Sequence, residues 1–122
     1  MNLTDTIEIK VSKYRRGKPA LILRETVPAK IYGPLAIHHD VAYGKRQTWK
    51  ITHIATGLCV SGELTLKAAV AIAKELKALP EWQEPTLGEG RTATNGAVFD
   101  SLANAVIEAR RFHTGAGVRE AA

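Results

Sequence analysis

The sequence predicts an α+β fold, an antiparallel β-sheet of four or five strands in two hairpins with two amphipathic α-helices, on three observations. Apolar and polar residues alternate with period two in the first half, and the apolar spacing lengthens to three and four residues from Thr65. Strands and helices also fall in separate blocks rather than alternating, which places the helices on one face of the sheet.

The segment IEIKVSKY sets Ile7, Ile9 and Val11 against Glu8, Lys10 and Ser12, the pattern of a half-buried strand. RRGKP supplies turn residues and ALILRETV returns, so residues 6–27 read as a hairpin. VPAKIYGP, with Pro28, Gly33 and Pro34, interrupts the β pattern. A second hairpin follows as LAIHHDVAY, GKRQ and TWKITHIA, and LCVS adds a short strand after a Thr56-Gly57 turn.

The first helical stripe is Leu66, Ala69, Val70, Ala73, Leu76 and Leu79, with Lys67, Lys74 and Lys77 largely off it and Pro80 as its end. PEWQEPTLGEGRTATNG reads as a connecting loop anchored by Trp82. A second helix, from about Asn95 to Thr114, has Val98, Leu102, Ala105, Val106, Ala109 and Phe112 on one face. Thr94 or Asn95 is its N-cap, Arg110 and Arg111 sit near the negative end of its dipole, and Gly115 closes it. Residues 1–114 form one domain and 115–122 a loose C-terminal tail.

In the second hairpin, pairing Val41 with Ile51 unites the large apolar side chains. It sets Tyr43 opposite Trp49 and His39 opposite His53, leaving His38, Asp40, Lys50 and Thr52 on the other face. The adjacent register would instead group His38, His53 and Asp40 as two histidines and a carboxylate. His39 and His53 are the metal candidates, but a pair falls short of the three or four ligands a site needs, so neither metal nor cofactor is expected and both read as hydrogen-bonded sheet residues.

A chain of 122 residues, 45% of them hydrophobic, suits a single domain with a real core. No run approaches the roughly 20 apolar residues of a membrane span. The opening MNLTDTIEIK has no secretory pattern, so a cytoplasmic protein without membrane contact is expected. Cys59, the sole cysteine, sits in GLCVSG as a small apolar strand residue.

Charge is unevenly spread. Through Lys50, Lys and Arg outnumber Asp and Glu ten to four, whereas the remainder carries seven against eight. The excess concentrates in two similar turns, KYRRGKP and AYGKRQTW, each with a tyrosine and a glycine among basic residues. Cations attract phosphate and aromatic rings stack on bases, so these turns point to nucleic acid, with Arg15, Arg16, Lys18, Lys45, Arg46 and Lys50 on phosphate and Tyr14 and Tyr43 stacking.

No phosphate-cradling glycine loop, GxSxG elbow, paired-cysteine zinc pattern or HExxH occurs, and a small, basic, non-enzymatic binding protein is expected. SGELTLKAAVAIAKELKAL resembles the end of a double-stranded-RNA-binding domain in the small polar residue and Lys67 that open its helix. Leu66 and Val70 stand where that family places lysines, and its first helix is absent. Two further readings are a protein-binding inhibitor or adaptor of the phage or mobile-element accessory kind, and a small nuclease using the histidines with Lys50 or Arg46 on phosphate. A homodimer through an exposed sheet edge is compatible with each.

Overall fold

The structure, a computed structural model, describes residues 2–13, 15–39, 48–83 and 102–115. Five antiparallel strands form one sheet in chain order: β1 (Asp5–Lys13), β2 (Leu21–Tyr32), β3 (Leu35–His39), β4 (Trp49–His53) and β5 (Leu58–Leu64). Helix α1 (Leu66–Leu76), a 3-10 turn Pro80–Gln83 and helix α2 (Ala103–Thr114) follow. The α+β class and its strand-then-helix order are as the periodicities predict. No helix among the described residues is long and apolar enough to cross a membrane.

β2 does not stop at Pro28. It pairs with β1 from Leu21 to Ala29 and with β3 from Lys30 to Tyr32, so proline and its neighbours mark a change of partner rather than a break. Pro28 lies opposite Thr6, just beyond the last β3 pair, Lys30↔Ile37, so its missing N–H removes no ladder bond on the β3 side. The change of partner lets the β1–β2 hairpin fold across the sheet's rear face, where Ile7, Ile9, Val27 and Ala29 pack with Ala36 of β3 and with Ile54. The Lys10 N–H reaches past its own ladder to the Gly57 carbonyl, 2.9 Å away in the β4–β5 turn.

The front face buries Leu35, Ile37, Ile51, Val60 and Leu64 against Ala68, Ala69, Ile72, Ala73 and Leu76 of α1 and Leu102, Val106 and Ala109 of α2. Each fully buried Leu or Ile contributes about 1.5–3 kcal/mol. α1 starts where Thr65 Oγ1 accepts the Ala68 N–H, and its lysines Lys67, Lys74 and Lys77 are exposed. It ends at Leu76, short of Pro80. Trp82 is buried below the helix end and donates its Nε1–H to the Leu76 carbonyl at 2.8 Å, anchoring this segment as expected.

α2 is described from Ala103, so Val98 and the caps Thr94 and Asn95 lie outside the described residues, as do residues 116–122 of the expected tail. Gly115 closes it at φ +75°. Two expectations for α2 change. Phe112 is 44% exposed and meets His113 edge-on, because the inward line is Leu102, Val106 and Ala109, with Phe112 on its shoulder. Arg110 turns inward, donating from Nη1 to Ser61 Oγ at 2.7 Å and to the Gly62 carbonyl at 2.6 Å, so it fastens α2 to β5.

The β3–β4 register also differs. Ile37, not Val41, lies opposite Ile51, with His39 opposite Trp49 and Leu35 opposite His53. The two faces are nevertheless as predicted, because the shift is an even number of residues. On β5, Gly62 and Glu63 together oppose Lys50, since Trp49 pairs with Leu64 and Ile51 with Ser61. This is a bulge, and Glu63 takes φ +55° within it.

Candidate nucleic-acid interface

The β1–β2 hairpin forms an arm. Its base is the buried set Ile7, Ile9, Val27 and Ala29, and the next ladder pair outward on the exposed side is Lys10↔Arg24. Beyond it the ladder continues to Lys13↔Leu21, and residues 15–20 of the tip are all exposed. From Lys10 to Arg24 the sequence holds Lys10, Lys13, Arg15, Arg16, Lys18 and Arg24 with no acid among them.

The tip is locally braced. Gly17 sits at φ +69°, a conformation that costs glycine nothing, and the Lys18 N–H donates to the Arg15 carbonyl at 3.2 Å to close the turn. The Arg15 side chain then donates from Nε at 3.1 Å and Nη2 at 2.8 Å to the Pro19 carbonyl. A guanidinium has five N–H donors, so about three remain to face an anion. The Arg16 and Lys18 side chains are exposed, with no side-chain hydrogen bond or ion pair among the described residues. At the arm's shoulder, Arg24 Nη1 meets Glu8 Oε1 at 3.3 Å, an exposed pair of little energetic weight.

Between the arm and the β4–β5 turn lies an open cleft of about 350 Å³, lined by Glu8, Lys10, Arg24, Thr56 and Gly57 among others. Its cationic wall is Lys10 and Arg24, two residues the sequence analysis counted but gave no role. Their signal was available: pairing the first hairpin about its RRGK turn sets them opposite one another.

Arg15, Arg16 and Lys18 are thus brought together at one tip. Lys50 is elsewhere, half-buried on β4 opposite His38, and a side chain at Gly62 would meet its Cε at 3.3 Å. Tyr14, Tyr43, Lys45 and Arg46 lie outside the described residues.

The histidines do not form the expected pair. His39 is exposed and its ring lies 3.9 Å from that of Trp49, while His53 is buried four residues further along β4, a strand distance of about 13 Å from the His39–Trp49 pair. His53 Nε2 donates to the Trp82 carbonyl at 2.8 Å, and Nδ1 accepts from Thr56 Oγ1 at 2.9 Å. His38, also buried, repeats the arrangement: Nδ1 donates to the His39 carbonyl and Nε2 accepts from Thr52 Oγ1, both at 2.7 Å. Each ring serves one carbonyl and one hydroxyl, the role of a structural core histidine. Burial pushes the His53 pKa below its ordinary 6.5, against the opposing effect of the bond to Trp82. No group of three or more His, Cys, Asp or Glu among the described residues is arranged to hold a metal.

Comparison of the chain with protein-family models, with curated proteins and with solved structures finds no match.

Proposed function

We propose that the chain binds nucleic acid through the β1–β2 arm as a non-enzymatic binding protein. The observation that carries this reading is the acid-free run from Lys10 to Arg24, folded into a ribbon whose tip presents Arg15, Arg16 and Lys18 to solvent. Each cation set against a phosphate releases a condensed counterion, so binding by such a tip depends steeply on salt.

Fluorescence anisotropy with labelled DNA and RNA across a salt series tests the reading. Wild-type protein is expected to bind with a log–log salt slope worth several phosphates, and Arg15→Ala/Arg16→Ala/Lys18→Ala to lower that slope by about 2–3. Unchanged affinity and slope in a variant with wild-type circular dichroism would remove the arm from the interface.

One observation favours a second reading, a protein-binding adaptor: Leu21 and Leu23 on β2 are 38% and 37% exposed beside the tip. Absence of salt-dependent binding to any polymer would transfer the function to that surface.

A further inference from the structure

The arm's dimensions bear on which nucleic acid it fits. Past the Lys10↔Arg24 pair the ladder runs through Val11↔Leu23 and Ser12↔Ile22 to Lys13↔Leu21. At about 3.3 Å per residue this extends the ribbon by roughly 10 Å before the turn begins. Two strands stand about 4.8 Å apart, and with side chains a ribbon is about 10 Å across. The major groove of B-form DNA is about 12 Å wide and 8.5 Å deep and admits a two-stranded ribbon, whereas its minor groove, at about 6 Å, takes strands only when the duplex is bent or widened at a cost in energy. The A-form RNA major groove is too narrow and deep for side chains to read.

Rigidity points the same way. The turn is held by the Lys18–Arg15 backbone bond and by the two bonds from Arg15 to the Pro19 carbonyl, so little freedom is lost when the tip is immobilised. Arg16 and Lys18 flank Gly17, which sets one cation on either side of the turn.

We infer that the arm enters the major groove of duplex DNA tip first, with Arg16 and Lys18 reaching phosphates on opposite walls and Lys10 and Arg24 meeting the rim. This rests on the reading that the arm binds nucleic acid, and it specifies the polymer and the groove.

The test is a set of anisotropy titrations with one sequence presented as single-stranded DNA, duplex DNA and duplex RNA. Two further probes are duplex DNA whose cytosines carry glucosylated hydroxymethyl groups filling the major groove, and plain duplex with netropsin filling the minor groove. The expected result is duplex DNA bound about tenfold or more tighter than the other two polymers, weakened by glucosylation and indifferent to netropsin. Arg16→Ala/Lys18→Ala is expected to erase the duplex preference in a protein with unchanged thermal unfolding. Equal affinity for single and double strands, or loss with netropsin alone, overturns groove entry while leaving the arm as a nucleic-acid binder. No salt-dependent binding to any of the polymers overturns both.

Discussion

His53 shows how a residue that looks chemically promising in sequence becomes part of the scaffold. Its ring is sealed between the Trp82 carbonyl and the Thr56 hydroxyl, and it stacks on Trp82 with centroids 5.3 Å apart. Because burial depresses its pKa, the unfolded chain takes up a proton at a pH where the folded chain does not. The contribution is therefore fully present above the unfolded value near 6.5 and is lost as pH falls towards the lower folded value. Melting temperature should drop between about pH 7.5 and about pH 5.5, and His53→Gln should flatten that drop while lowering stability at the upper pH by about 1–3 kcal/mol. An identical pH profile in the variant would show that another group titrates. The sequence revealed the residue's face, since alternation fixes that. It did not reveal the partners, because Trp82 arrives from beyond α1 and nothing local records its approach.

At the scale of elements, period-two alternation made the strands legible and the three-and-four spacing made the helices so. Register was not legible. The apolar pattern is satisfied by any even shift, and the expected pairing of Val41 with Ile51 assumed a tight GKRQ turn, whereas the described strands end at His39 and resume at Trp49. Pro28 misled in the opposite sense, since a proline that punctuates most strands is tolerated where a strand changes neighbour. Phe112 and Arg110 exchange roles for a related reason: hydrophobicity ranked the phenylalanine inward, but the angular position on α2 and the open carbonyl of Gly62 favoured the arginine. The arm's attachment carries a prediction of its own. Gly57 adopts φ +71°, and a Cβ there would stand 3.4 Å from the Glu8 carbonyl oxygen and from Lys10 Cγ. Gly57→Ala should cost about 1–2 kcal/mol in urea unfolding, from the left-handed backbone and the crowding against β1 together. A variant as stable as wild type would mean that the arm is not held closely at this point.

Across the whole molecule, two packed layers serve different ends. Among the described residues, the larger buried cluster lies between the helices and the front of the sheet, and the base of the arm packs on the rear. The charge asymmetry seen in the sequence becomes spatial for the first hairpin, where the cations from Lys10 to Arg24 lie on one projection. Of the second basic turn, Tyr43, Lys45 and Arg46 lie outside the described residues. The candidate site was therefore half readable: its tip from composition, its shoulder pair Lys10 and Arg24 only once the ladder was known.

The single backbone bond from Lys10 to Gly57 also orders events in time. Every ladder in the sheet joins strands that are consecutive in the chain, so each hairpin closes a short loop and forms early. Among the described residues, docking the arm joins segments far apart in sequence for one backbone hydrogen bond and a small apolar cluster, so it is expected to form late in folding and to open early. Native-state amide exchange should find the Lys10 N–H opening well before those of Ile37 and Ile51, at denaturant concentrations where the helices and central strands stay protected. The protein would then carry a hinged limb on a fixed body, able to swing onto a partner without the body unfolding.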